Sequence, residues 1–137
     1  MSVFHLATTV GNLSEAVRFY GEVLGCEPGR STDTWADFDF FGHQISLHVG
    51  EAVTDRDTES RVAGSAVPVP HFGAVLDWDA FDALLGRLEA HGVELLIPVK
   101  LRFPGEPGEQ RSCFLRDPAG NALEFKSFRN PADVFAH

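Results

Sequence analysis

Two stretches, Phe4–Val10 (FHLATTV) and His71–Leu76 (HFGAVL), share one plan and lie about half the chain apart. Each contains a histidine at or next to its start, followed by a run of apolar and small residues that is typical of a strand. Each leads into an amphipathic stretch that stops near a glycine, at Gly25 in the first copy and at Gly92 in the second. The sequence therefore predicts an internal repeat in which the two histidines occupy equivalent positions.

Further strands are predicted after both amphipathic stretches. In the first copy, Trp35–Phe41 and Gln44–Val49 alternate apolar and polar residues around a Gly-His turn, which predicts a β-hairpin. In the second copy, strands are expected at Leu95–Val99, Arg111–Arg116 and Ala122–Lys126. The order is strand, helix and two or three strands, twice, and this order predicts the α+β fold class.

The 137 residues are expected to form a single domain, 1–137, because a chain of this size can bury roughly two thirds of its unfolded surface. Within it we predict module 1 at about 1–50, a linker at about 51–66 and module 2 at about 67–130. The linker is inferred from its polar, charged and small residues. The stretch Pro104–Gly108, rich in glycine and proline, is either a lid over a site or an ordinary hairpin connection.

Composition excludes some classes of function. A formal charge of −9 argues against nucleic acid, whose phosphates would be repelled by this chain. No stretch is long and apolar enough to cross a membrane, and the N-terminus shows no secretory pattern, so a cytoplasmic protein is expected. Cys26 and Cys113 are expected to be small buried residues without a function of their own.

Three potential metal ligands are expected on one side of the sheets. Strand alternation places His5, His71 and Glu124 on the face away from the helices, together with Ser46 and His48. Two imidazoles and one carboxylate suit a divalent first-row ion and leave coordination positions open. A single strand histidine is more often a core or surface residue, but the matched positions of these two histidines favour ligands.

Three motifs carry a family resemblance over nearly the whole chain: Phe4-His5, the segment Asn12–Gly25 and the segment Phe114–Glu124 (FLRDPAGNALE). With them the chain resembles the vicinal oxygen chelate superfamily. That group includes glyoxalase I, bleomycin-resistance proteins, fosfomycin-resistance enzymes and extradiol ring-cleavage dioxygenases. The resemblance implies paired βαβββ modules whose curved mixed sheets form a metal-binding cup, with His5, His71 and Glu124 at the ligand positions.

Among these relatives, the extradiol dioxygenases are the most similar at the site. They hold Fe(II) with two histidines and one glutamate, and they place an acid/base histidine where His48 falls, which implies Fe(II) here and proton transfer by His48. Glyoxalase I is expected to have a fourth, carboxylate ligand where Ser46 stands. Lys126 and Arg102 can supply positive charge to an anionic substrate, and Ser46 is a further candidate substrate-binding residue.

Other functions remain open. The first expectation is dioxygenase-like chemistry on a small molecule that chelates the ion through neighbouring oxygens. The second is a glyoxalase-like lyase, isomerase or thiol transferase in which Mn, Ni, Co or Zn acts as a Lewis acid. The third is a protein that binds a small molecule without turnover.

The assembly is expected to be a homodimer, because two modules of this kind expose sheet edges and an incomplete cup. The metal site can lie across the dimer, as in glyoxalase-like members, or within one chain, as in dioxygenase-like members.

Overall fold

The computed structural model describes residues 1–51, 58–62 and 64–137, with residues 58 and 59 as backbone only. The chain divides into two compact units. The first consists of Met1–Asp57 and Asp117–Asn121, and the second of Thr58–Arg116 and Ala122–His137.

The first unit is a four-stranded sheet with one helix. Its elements are β1 (His5–Val10), α1 (Leu13–Arg18), a π-helical turn (Phe19–Val23), β2 (Glu27–Ser31), β3 (Trp35–Phe40) and β4 (His43–Val49). The strand order is β1-β4-β3-β2, with β1 parallel to β4 and the other pairs antiparallel. Helix α1 begins after Asn12, whose side chain accepts a hydrogen bond from the Glu15 amide, as N-cap residues do.

The second unit repeats this topology after an additional hairpin. Its elements are β5 (Thr58–Val62), β6 (Ser65–Val69), β7 (Phe72–Val75), α2 (Trp78–Ala90), β8 (Ile97–Arg102), β9 (Gln110–Arg116), β10 (Ala122–Phe128) and a 3-10 turn (Pro131–Phe135). The sheet order β7-β10-β9-β8 matches that of the first unit, and β7 is parallel to β10. The predicted α+β fold of two βαβββ copies is therefore confirmed.

One face of each sheet packs against its helix. Helix α1 contacts β3 and β4, and α2 contacts β10. On β10 the helix-side residues Leu123, Phe125 and Ser127 are fully buried, whereas Glu124 and Lys126 are half-buried on the opposite face. The predicted alternation is thus confirmed on the strand that carries Glu124.

A buried hydrogen-bond network holds the turn Asp117–Asn121, which belongs to the first unit and ends where β10 begins. The Tyr20 hydroxyl donates to Oδ2 of Asp117 at 2.8 Å, and Nδ2 of Asn121 donates to the same oxygen at 2.8 Å and to the Thr9 carbonyl at 3.0 Å. Burial, followed by the charge of Asp117, raises the pKa of Tyr20 well above its usual value, so this phenol stays protonated and donates.

Two features of the structure were not predicted from the sequence. Residues 52–57 and 63 of the predicted linker lie outside the described residues, and most of the rest of the segment 51–66 forms part of the hairpin β5–β6. Strand β2 was not predicted because it contains Pro28 and Gly29, which its exposed position at the sheet edge tolerates. The stretch Pro104–Gly108 connects the paired strands β8 and β9, which agrees with the hairpin connection, one of the two alternatives for this stretch.

Both cysteines are buried thiols, as the sequence predicts. Burial raises the pKa of Cys113 to about 11, which keeps it protonated and unreactive at neutral pH. Within the described residues, no helix combines the length and apolar character needed to span a membrane.

Candidate metal centre

His71 and Glu124 are brought together by the parallel pairing of β7 with β10. Nε2 of His71 lies 3.4 Å from Oε1 of Glu124, and the two side chains are only 27% and 16% exposed. Gly73, which follows His71 by two residues, is paired directly with Glu124. A Cβ atom at Gly73 would overlap the carbonyl oxygen of Glu124, so the close approach of the two strands depends on this glycine.

The surroundings fix which nitrogen of His71 faces Glu124. Nδ1 lies 2.6 Å from the Pro68 carbonyl oxygen, which can only accept, so Nδ1 donates and Nε2 is directed at the carboxylate. The hydrogen bond with Glu124 raises the pKa of His71 although burial opposes the shift. Burial alone would raise the pKa of Glu124, but His71 and Lys126 outweigh it and lower that pKa. Without a metal the two groups therefore favour an imidazolium paired with a carboxylate.

His5 lies in the first unit, exposed at the start of β1, and a chain of hydrogen bonds orients its ring. Nδ1 of His5 lies 2.9 Å from Oε1 of Gln44, and Nε2 of Gln44 donates to Oδ2 of Asp37 at 3.2 Å. A carboxylate only accepts, so the Gln44 amide must place its nitrogen at Asp37 and its oxygen at His5. Nδ1 of His5 consequently donates, so Nε2 is the ring nitrogen left to bind a metal.

Gln44 and Asp37 are positioning residues that the sequence analysis missed. Both lie on the same sheet face as His5, because Gln44 is level with His5 on β4 and Asp37 is the cross-strand partner of Ser46. The signal was present in the alternation of the predicted hairpin, but a single strand pattern does not give the register between strands. The Ser46 hydroxyl is buried and donates to Oδ1 of Asp37 at 2.5 Å. Its role in binding substrate stays a prediction.

His48 shares this face but lies further along the sheet. In the strand register His5 is paired with Gln44, and His48 is paired with Thr9. His48 follows Gln44 by four residues on β4, so the backbone positions of the two pairs lie about 13 Å apart at a rise of about 3.3 Å per residue. The imidazole is exposed and lies beside the Trp35 ring, with 6.4 Å between the ring centroids.

A cavity of about 230 Å³ opens beside the His71–Glu124 pair in the second unit. Its walls include both predicted cationic residues, Lys126 and Arg102, and also Lys100, which the sequence analysis did not select. Nζ of Lys126 lies 3.5 Å from Oε1 of Glu124. Lys126 is therefore placed to contact an anionic group that binds next to Glu124.

The predicted ligands match the requirements of a divalent ion in their chemistry. Each of the two histidines uses Nδ1 as a donor to a protein oxygen, which is how metal-binding imidazoles are usually held, and leaves Nε2 for a metal. Of the three, His71 and Glu124 are in contact and His5 lies in the other unit. In the part of the chain that the structure describes, no group of three or more His, Cys, Asp or Glu side chains is gathered around a possible ion.

Comparisons with known proteins identify the family. Residues 2–125 match the family model of the Glyoxalase/Bleomycin resistance protein/Dioxygenase superfamily. A crystal structure from Alicyclobacillus acidocaldarius, described by the same three names, is 32% identical, covers 98% of this chain and 96% of its own, and has a TM-score of 0.77.

Two more distant proteins are similar over most of the chain. The fosfomycin resistance protein FosX from Listeria monocytogenes shares the fold with a TM-score of 0.71 at 20% identity, over 97% of both chains. A virulence protein of Salmonella typhimurium is 27% identical over 124 residues, which are 90% of this chain and 82% of the relative. The chain therefore belongs to the glyoxalase/bleomycin resistance protein/dioxygenase superfamily, whose enzymes typically use a divalent metal ion.

Proposed function

We propose that the protein is a metal-dependent enzyme in which His5, His71 and Glu124 hold one divalent ion. The observation that carries this proposal is the shared orientation of the two histidines, each of which donates from Nδ1 to an oxygen and leaves Nε2 for a metal. The ion supplies Lewis acidity toward a small molecule that binds it through neighbouring oxygens. The protein residues then bind and orient that molecule.

The geometry supports a lyase, isomerase or transferase reaction better than an oxidation. Lys126 lies beside Glu124 and can stabilise negative charge that develops on a substrate oxygen. His48, the acid/base residue that a dioxygenase-like reaction requires, lies about 13 Å along the sheet from the level of His5 by the strand rise. A group held at His5 would have to extend along β4 to accept a direct hydrogen bond from His48, whereas Lys126 already lies 3.5 Å from Glu124.

A dioxygenase-like reaction with Fe(II) is the second candidate. Two histidines and one carboxylate form the ligand set of many non-haem iron oxygenases, and the relative from Alicyclobacillus acidocaldarius carries the word dioxygenase in its name. His48 shares the sheet face of His5, so a larger substrate can extend from one to the other. In that case His48→Ala should lower turnover by ~10²–10⁴-fold and leave metal binding unchanged.

Metal binding tests the proposal directly. We expect the purified protein to bind one divalent ion per chain and His71→Ala to bind it orders of magnitude more weakly, because one of three ligands is lost. His91→Ala is the matched control, since His91 caps helix α2 and is exposed. Circular dichroism should show the same α+β content for all three proteins. Equal metal content in His71→Ala and His91→Ala would exclude the proposed site.

Oxygen consumption distinguishes the lyase, isomerase or transferase reaction from the dioxygenase-like reaction. Protein loaded with Ni(II) or Mn(II) should convert a 2-oxoaldehyde–thiol adduct or open an epoxide without oxygen uptake. Protein reconstituted anaerobically with Fe(II) and then given air and catechols should show no oxygen uptake above a metal-free sample. Oxygen uptake with a catechol would establish the second candidate instead, and ligand binding without turnover in any assay would indicate a binding protein.

A further inference from the structure

We propose that Lys100, Arg102 and Lys126 form a subsite for the acidic group of an anionic substrate. The inference rests on the proposed function, because it takes the His71–Glu124 pair as the end of the cavity where the substrate's chelating oxygens bind. The ligand class is a small organic acid whose carboxylate, phosphate or phosphonate group is bound by the three cations.

The charges in this cavity are opposite to those of the chain as a whole. The protein has a formal charge of −9, yet the cavity walls carry the cations of Lys100, Arg102 and Lys126, the His71 imidazole and one carboxylate, Glu124. Within the described residues, neither Lys100 nor Arg102 has a carboxylate at ion-pair distance. Gathering cations without carboxylate partners costs electrostatic repulsion, which a bound anion would relieve.

The strand register places the cations next to the proposed ligand. Glu124 is paired with Phe114, whereas Lys126 is paired with Ser112, and Ser112 is paired in turn with Lys100. The row of Lys126, Ser112 and Lys100 therefore lies two residues from Glu124, which is about 7 Å along the sheet. Arg102 follows in the next row. Directly paired residues share a face, so these side chains converge on one cavity.

Contacts already present hold two of the cations in place. Nζ of Lys100 donates to Oγ of Ser65, which leaves the hydroxyl hydrogen of Ser65 available to an anion. The Arg102 guanidinium lies over the Phe103 ring, with Cζ 4.9 Å from the ring centroid. A planar guanidinium offers paired N–H groups to two oxygens of one acidic group, and the lysines add point charges.

An apolar surface separates the two ends of the cavity. The Phe114 side chain lies in the row of Glu124, and its ring packs edge-on against His71 at 5.0 Å between centroids. A short carbon skeleton can rest on this ring, with its chelating oxygens toward Glu124 and its acidic group toward Arg102. The volume of about 230 Å³ limits the substrate to a small molecule.

Nuclear magnetic resonance titration of the metal-free protein tests the subsite independently of the ion. Inorganic phosphate and acetate are the two probes. The titrations are done at low ionic strength, after the chelator used to strip metal from the protein has been removed. We expect saturable shifts confined to amides of β8, β9 and β10. Arg102→Gln should weaken binding by at least about tenfold because a charge-assisted contact is lost. Arg87→Gln, which removes the same charge from the exposed face of helix α2, should stay within about twofold of wild type.

The remaining outcomes separate the alternatives. Tighter binding of phosphate than of acetate would assign a phosphate or phosphonate group, and the reverse order a carboxylate. Arg102→Lys keeps the charge without the planar pair of donors and should bind the anion with intermediate affinity. This variant tests the subsite even if Arg102→Gln does not fold. Equal losses in Arg102→Gln and Arg87→Gln, or shifts that do not saturate, would overturn the subsite. Metal binding that fails while anion binding persists would reject only the proposed function.

Discussion

Gln44 connects the half-buried Asp37 and the buried Ser46 to the exposed ring of His5. Its amide oxygen accepts from His5 while its amide nitrogen donates to Asp37, which also accepts from Ser46. Each partner restricts the next one, so the orientation of the imidazole is set by residues on two neighbouring strands. Hydrogen-bond partners of this kind usually raise the metal affinity of the ligand they hold.

Gln44→Met should therefore weaken metal binding by about 10–100-fold without unfolding the protein, because the imidazole loses the acceptor for Nδ1. Calorimetric titration of the metal-free variant gives the affinity. Gln110→Met is the matched control, since the Gln110 amide donates to the Gly108 carbonyl in the second unit. Wild-type affinity in Gln44→Met would show that His5 needs no such support or does not bind the ion.

The candidate ligands could be predicted from sequence because each follows from local alternation and from the repeat. The residues that support them could not, because their roles depend on which residues face each other across strands. Gln44 is level with His5, and Lys100 pairs with Ser112 after a register shift in β8, and neither relation is encoded in a single strand pattern.

Among the secondary-structure elements, β7 depends on a glycine for its pairing. It pairs with β10 through Gly73, whose missing side chain leaves room for the backbone of Glu124. The helices and most strands could be predicted from their periodicity, since α2 has a regular apolar face formed by Phe81, Leu84 and Leu88. The hairpin β5–β6 could not, because its polar residues resemble a linker.

Gly73→Ala should cost about 1–3 kcal/mol or more in the free energy of unfolding, because the added methyl forces β7 away from Glu124. Metal affinity should fall as well, since His71 precedes this strand directly. Denaturant unfolding of the metal-free protein measures the first effect and metal titration the second. Gly86→Ala is the control: Gly86 lies on the exposed face of α2, where an added Cβ would meet open space, so alanine should stabilise the helix by about 1 kcal/mol. Equal effects of both substitutions would contradict the close approach.

For the whole molecule, the three candidate ligands are divided between the two units: His5 belongs to the first, whereas His71 and Glu124 belong to the second. A symmetric dimer of the chain can bring the first unit of one copy to the second unit of the other. We expect a homodimer in which His5 of one copy joins His71 and Glu124 of the second copy.

Mixing inactive variants tests this arrangement. His5→Ala and Glu124→Ala each destroy every site in their own homodimers, but a mixed dimer with shared sites contains one intact site. Random exchange of subunits makes half of the dimers mixed, so about a quarter of the wild-type metal capacity should return.

Metal analysis after unfolding and refolding the two variants together measures this recovery. The pair His71→Ala and Glu124→Ala serves as the control, because both residues belong to the second unit and no combination of these subunits restores a site. Recovery with the first pair and none with the second would establish sites shared between copies. No recovery with either pair would place all three ligands within one chain.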